Sequence, residues 1–431
     1  MPRHILAHGK NDVQISDRAQ TIPYLSWLSD RVSPLVATPP LSQCEVCVIV
    51  PVRNEAETLE STLLALYHQV DLKGHPLDRK RYEVILLANN CSDDSAAIAY
   101  GFAKSHSDLV LHVVDKTLPS TEAYIGRVRQ ILMDEAYYRL SPLGGTRRVI
   151  ASTDGDSRVT PTWIAATLYE IGCGADAVGG RILTNYQERA ALAPYARACH
   201  LREVGYRYLV AELETYFDSD PVDTLPRHYQ HYGASLAVTT DMYDRAGGMQ
   251  PVRTPEDVAF YKSLVRVNAR FRHSPLVRVY TSARTTGRTS IGLANQLSKW
   301  EKMGLQHQPF LVESAAEIES RFWLRHRLRI LWWCFLNDER VDEKAIALIA
   351  NALGVNVQFL RQELALPQTF GMLWEWVEQR QQEEGIWRQR WSLVKIEEAI
   401  FALRVRLEKL RRQQQQVELS EPSRQAKRVS C

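Results

Sequence analysis

Apolar runs and amphipathic stretches alternate along the first two thirds of the chain. Residues 46–50 form a β-branched run with no polar face, the texture of a strand buried on both sides, and Pro51 is expected to end it. From Asn54, a capping residue, apolar positions recur at helical spacing through Leu66. The cycle repeats: strand 82–87, a polar turn at Asn89-Asn90-Cys91-Ser92-Asp93-Asp94, helix 95–104, strand 109–114, helix 121–138. A fourth apolar run, 149–152, leads into Asp154-Gly155-Asp156. Beyond it the pattern predicts a strand at 176–182 and a long helix at 190–213, in which Pro194 fits only the first turn. Small residues at 233–235 enter another strand, Thr254-Pro255-Glu256-Asp257 opens a helix, and 271–280 is a last strand. From 310 onward the pattern is almost wholly helical.

Strand–helix alternation of this kind predicts an α/β fold, a mostly parallel sheet flanked by helices, with an all-α C-terminal extension. The expected organisation is an N-terminal segment 1–42 with a short helix before Pro39-Pro40, an α/β domain 43–305, a helical region 306–412, and a disordered Gln-rich tail 413–431. At 431 residues, 45% hydrophobic and 24% charged, the chain has room for these parts. A net charge of +3 shows no broad basic excess, and no nucleic-acid partner is expected. The seven cysteines are scattered; Cys44 and Cys47 lack a second pair at zinc-finger spacing and read as core thiols. Reduced thiols and a polar N-terminus without a secretory apolar stretch point to the cytoplasm. No apolar run reaches the roughly 18 residues that a spanning helix needs.

Asp154-Gly155-Asp156 is the candidate chemical centre. A turn at the C-terminal end of a buried strand is where open α/β sheets bind ligands. Two carboxylates there suit a hard divalent cation that keeps coordination for substrate phosphates. The letters alone are weak: Asp218-Ser219-Asp220 has the same form and reads as a surface loop. No P-loop and no G-x-G-x-x-G after the first strand is present.

Four motifs in order carry a resemblance. Val48-Ile49-Val50-Pro51-Val52-Arg53-Asn54-Glu55 is similar to the opening strand of family 2 glycosyltransferases with the GT-A (Rossmann-like) fold. Asn89 to Asp94 resembles their nucleotide-contacting turn, Thr153-Asp154-Gly155-Asp156 their D-x-D, and Pro255-Glu256-Asp257 their E-D motif. Coverage runs from about residue 44 to 300. The resemblance implies a nucleotide-sugar donor (UDP-, GDP- or dTDP-linked), Mn²⁺ or Mg²⁺ on Asp156 and Asp154, and an inverting transfer to an acceptor hydroxyl. It implies donor contacts at Pro51, Val52, Arg53, Glu55, Asn89, Asn90, Asp94 and Asp154, with Arg284 and Arg288 on the phosphate side. Asp257 is the expected base and Glu256 its rival. Many relatives have acids where Asn89 and Asn90 stand, so the base is open, as is the acceptor.

Arg181, His231 and His273 are weaker candidates for substrate or metal contact, and Gly233-Ala234-Ser235 resembles the strand under the acceptor site. Gln296-Leu297-Ser298-Lys299-Trp300 is only faintly like the Q-x-x-R-W of processive synthases, and no polymerisation is inferred. Arg321, Arg325 and Arg329 form a cationic stripe on a Trp-rich helix, which suits a membrane interface or packing against the catalytic domain. Residues 349–355 echo a helix-turn-helix hairpin with few cations. Leu393, Ile396, Ile400, Leu403, Leu407 and Leu410 make a short a/d seam, a candidate homodimer contact through 393–410 or a docking stripe. The alternatives kept are a peripheral membrane transferase with a lipid-linked acceptor and a non-catalytic nucleotide-sugar-binding scaffold.

Overall fold

The computed structural model describes residues 34–145, 147–283, 292–366 and 368–420. The alternating pattern becomes β1 (Val46–Val52), α1 (Leu59–Tyr67), β2 (Tyr82–Asn89), α2 (Ser95–Ser105), β3 (Leu111–Lys116), α3 (Ile125–Leu140) and β4 (Val149–Ser152). Then come β5 (Ser157–Val159), α4 (Trp163–Gly172), β6 (Ala177–Thr184), α5 (Tyr186–Ala191) and α6 (Pro194–Phe217). The α/β part closes with β7 (Leu236–Thr239), α7 (Thr240–Arg245), α8 (Glu256–Arg266) and β8 (Phe271–Thr281).

One eight-stranded sheet has the order β3-β2-β1-β4-β7-β6-β8-β5. β3, β2, β1 and β4 are parallel; β7 runs against β4 and β6, β6 and β8 are parallel, and β5 runs against β8. The expected mostly parallel, helix-flanked sheet is therefore observed. Strand alternation divides the core into two layers. Val46, Val48 and Val50 face one, with Leu59 and Leu63 of α1 and Trp163 of α4. Cys47 and Ile49 face the other, with Val128 and Leu132 of α3 and Phe260 of α8. Burial pushes the Cys44 thiol up to about 12, in keeping with a core role.

Several details depart from the expectation. β1 passes through Pro51 to Val52, because β4 pairs with it only as far as Ile49 and Pro51 meets one ladder neighbour, Leu87. Asn54 does not cap α1: its φ is +56°, the helix starts five residues later, and its Oδ1 accepts from Ser92 N–H at 2.7 Å. β5 was invisible as an alternating pattern because it is three residues long with one exposed side chain, Arg158. Pro194 does fall in the first turn of α6.

The helical extension comprises α9 (Leu293–Leu305), α10 (Ala315–Leu336), α11 (Glu343–Leu353), α12 (Val357–Leu364), α13 (Phe370–Glu384), α14 (Ile386–Arg390) and α15 (Ile396–Ser420). Leu328, Trp332, Leu353, Leu360 and Trp374 build its own core. The hairpin at 349–355 exists: Gly354 ends α11 in the left-handed region and Asn356 caps α12, with Ile349, Leu353 and Leu360 turned inward. The a/d seam is taken up within the chain, since Ile396, Leu403 and Leu407 are buried with Tyr206 and Leu213 of α6 and Phe322 of α10. Among the described residues no helix is long and apolar enough to cross a membrane.

Candidate active site

The Asp154-Gly155-Asp156 turn leaves β4 at the C-terminal edge of the parallel strands, and two elements clamp it. A Cβ on Gly155 would lie 3.1 Å from Val52 Cγ2, 3.3 Å from Glu55 Cγ and 3.4 Å from Pro51 O, so glycine permits this approach. Thr62 of α1 donates through Oγ1 to Gly155 O at 3.0 Å. Pro51, Val52 and Glu55, the expected donor contacts, are buried and pack beside this turn.

The strongest feature of the site is a residue the sequence reading missed. Arg129 of α3, 3% exposed, sends its Nη2 to Asp154 Oδ1 at 2.9 Å and its Nε to Glu256 Oε1 at 3.2 Å. Its Nη1 donates to Gly233 O at 2.9 Å and to Ser152 Oγ. One guanidinium thus joins the D-x-D turn to the E-D motif, and its contact with Glu256 spans 127 residues of chain. Burial disfavours the Arg129 charge, but Asp154, Glu256 and Asp257 outweigh it and push its pKa up. Burial likewise lifts the Glu256 carboxyl above the ordinary range; Arg129 pulls it back and Asp257 adds to the rise. The signal was available: Arg129 stands four residues after Ile125 and three before Leu132, on the apolar face of its helix.

Gly233 is the second node. A Cβ there would lie 2.3 Å from Arg129 Cζ, so the turn can rest on the guanidinium only as glycine. Its N–H donates to Asp257 Oδ2 at 3.0 Å, while Asp257 Oδ1 accepts from Val258 N–H at 2.8 Å. Asp257 is partly exposed, whereas Glu256 is buried against Arg129.

The nucleotide-side turns are tied to each other. Glu55 N–H donates to Ser95 Oγ at 2.8 Å and Ala56 N–H to Asp93 Oδ2 at 3.0 Å. Asn90 has its amide closed on Leu118, with both contacts at 3.0 Å, and Asn89 Oδ1 is buried without a hydrogen-bond partner. Arg53 and Asp94 remain exposed at the rim, Arg53 reaching Ala123 O at 3.1 Å. Arg284 and Arg288 lie outside the described residues.

The weaker candidates have structural partners. His273 is 2.7 Å from Asp223, His231 stacks on Tyr261 with ring centroids 3.9 Å apart, and Arg181 faces the Tyr208 ring. Burial holds His228 and His231 down to about 3, with His273 adding to the effect. Among the described residues no group of three or more His, Cys, Asp or Glu side chains is placed to hold a metal. Asp154 and Asp156 nonetheless suit a hard cation whose remaining ligands come from phosphate and water. Arg129 engages only Oδ1 of Asp154, leaving the second oxygen for such a role.

Residues 47–224 match the sequence family described as Glycosyl transferase family 2. Glycosyltransferase AglE of Haloferax volcanii is 28% identical over 142 residues, which are 33% of this chain and 40% of that protein, so the match spans about two fifths of the relative's length. Among solved structures, the mannosyltransferase PcManGT from Pyrobaculum calidifontis in complex with GDP-Man and Mn²⁺ overlaps 89% of this chain and 91% of its own, at 15% identity and TM-score 0.40. S. aureus TarS 1-349 in complex with UDP-GlcNAc overlaps 74% and 90%, at 13% identity and TM-score 0.39. Glucosyl-3-phosphoglycerate synthase from Mycobacterium tuberculosis, in complex with Mn²⁺, UDP-Glc and phosphoglyceric acid, overlaps 62% and 81%, at 14% identity and TM-score 0.34.

Proposed function

Since residues 47–224 belong to glycosyl transferase family 2, we propose that the chain is a metal-dependent glycosyltransferase. It moves a sugar from a nucleoside-diphosphate sugar to an acceptor hydroxyl with inversion. The observation that carries this is Arg129, which holds Asp154 and Glu256 in one cluster and leaves Asp257 beside it with its own donor, Gly233 N–H.

Asp156 and Asp154 would hold Mn²⁺ or Mg²⁺, which offsets the charge left on the departing diphosphate. Arg129 fixes the Asp154 carboxylate so that one oxygen stays available. The acceptor hydroxyl must lose its proton as it attacks the anomeric carbon. Asp257 is the group to take it, being partly exposed and oriented through both oxygens. Glu256 loses that rivalry, since an acid buried against a guanidinium is poorly placed to meet an acceptor. For the base, Asn89 keeps an uncommitted carbonyl oxygen, whereas Asn90 has closed on Leu118.

Donor hydrolysis and transfer with UDP-, GDP- and dTDP-sugars, with and without Mn²⁺, test the reading. Asp156→Asn is expected to remove the Mn²⁺ dependence of nucleotide binding. Asp257→Asn should lower transfer about a hundredfold or more with donor binding retained. Inactivity with every donor would favour the non-catalytic scaffold, and near-normal turnover of Asp257→Asn would dismiss Asp257 as the base.

A further inference from the structure

Helix α10 presents two faces with different partners. The cations singled out in the sequence are paired with acids of the protein: Arg325 with Glu214 and Asp218, the half-exposed Arg329 with Asp218 at 3.0 Å, and Arg321 with Glu313 at 2.5 Å. The outward face carries a different set. Trp323, Ile330 and Trp333 are 43%, 43% and 37% exposed, and Leu336 borders them at 48%. Positions 323, 327, 330 and 333 fall within a stripe of about 120° on the helix surface. The Arg327 guanidinium lies 5.2 Å from the centroid of the Trp323 ring and, among the described residues, makes no ion pair. No carboxylate occurs between Glu319 and Asp338.

We propose that this face docks on an anionic lipid surface, with α10 lying in the plane of the interface. Indole rings and an arginine on one helix stripe match the two layers they would meet, acyl boundary and anionic headgroups. The charge is of one sign, which complements such headgroups. A two-fold contact with a second copy would instead bring Arg327 stripes of like charge together across a closed interface. The attachment is in-plane, since no described helix is able to span. The ion pairs from Arg325 and Arg329 to α6 and Asp218 tie the docked helix to the catalytic sheet.

Flotation of the full chain with vesicles of phosphatidylcholine, alone or mixed with phosphatidylglycerol, tests this. The wild type is expected to float with the anionic vesicles and to be released by salt. Trp323→Ala/Trp333→Ala should bind about tenfold less, and Arg327→Glu should lose the preference for anionic lipid. Thermal unfolding of Arg327→Glu should match wild type, since that side chain faces solvent, and the tryptophan variant, whose rings are partly packed, should still unfold in one cooperative transition. Wild type left behind by both kinds of vesicle, or variants that float like wild type, would overturn the proposal. So would lipid-free sedimentation showing a dimer that the tryptophan variant dissolves. Donor hydrolysis in the absence of vesicles is expected to be unchanged in all of them, so failure here is separable from failure of the catalytic reading.

Discussion

Replacing Arg129 with methionine keeps the length of the side chain and removes the charge that joins the two acidic motifs. Glu256, with 7% side-chain exposure, would lose its cation, and Asp154, at 33%, would lose the contact that orients it. Removing one partner of a buried pair costs about 3–5 kcal/mol, because the other charge remains desolvated. The Asp154 share is smaller, since water reaches that carboxylate. The pH dependence gives the sharper test. Glu256 already titrates above its unfolded value because of burial, and Arg129 is what restrains the rise. A raised folded value gives stability that is complete below the unfolded pKa of about 4.3 and is lost as pH rises through the folded value. Without Arg129 that folded value climbs further, so Arg129→Met should be penalised more at about pH 8 than at about pH 5. Urea midpoints at both pH values measure this, and turnover should fall about a hundredfold as Asp154 loses its orientation. Arg129→Lys keeps a charge but not the fork, and should recover part of the stability and little of the rate. Wild-type midpoints at both pH values with wild-type turnover would refute the reasoning.

Gly233→Ala sets a methyl 2.3 Å from Arg129 Cζ, so it should displace the guanidinium or the turn; the prediction is loss of transfer with the chain still folded by circular dichroism. Arg325→Met removes one cation from Glu214 and from the nearly inaccessible Asp218, which keep Arg227 and Arg329, and should lower stability by about 1–3 kcal/mol in urea titration. His228 and His231 are held to about 3, below the unfolded imidazole value. Their share of stability is complete above about pH 6.5 and is lost as pH falls toward 3, so His228→Gln should flatten the acid limb of the urea midpoint.

The strands were legible because central strands covered on both sides read as unbroken apolar runs, as 46–50, 82–87 and 149–152 do. The loops were less so. Asn54 carries capping letters, yet the tertiary contact with Ser92 sets its backbone and delays α1 to Leu59. The site was legible where chemistry sits on contiguous letters, in the D-G-D turn and at Glu256-Asp257. What joins them was not: the Arg129 contacts to Glu256 and Gly233 span more than a hundred residues. The long helix α10 was legible on one face. Its regular arginines at 321, 325 and 329 suited a membrane interface or packing, and they pack against Glu313, Glu214 and Asp218, while the irregular Trp323, Arg327 and Trp333 face out.

The two D-x-D sequences show what separates a reactive carboxylate from a structural one. Asp218-Ser219-Asp220 reads as an exposed turn, yet Asp218 is buried and both of its oxygens are held by arginine: Oδ2 takes Arg325 and Arg329, and Oδ1 takes Arg329 at 3.2 Å. Those cations pull its pKa down against the pull of burial, and its side chain is almost closed to solvent. Asp154 meets one cation through one oxygen and keeps a third of its side chain in solvent. An acid held this way is oriented without being neutralised on its open side, which is what a metal or a diphosphate needs from it. The same test divides Glu256 from Asp257: the first is buried against Arg129, the second accepts two backbone N–H groups and stays partly open. Motif letters locate acids; the number of cations already bound to each decides which of them have chemistry left to do.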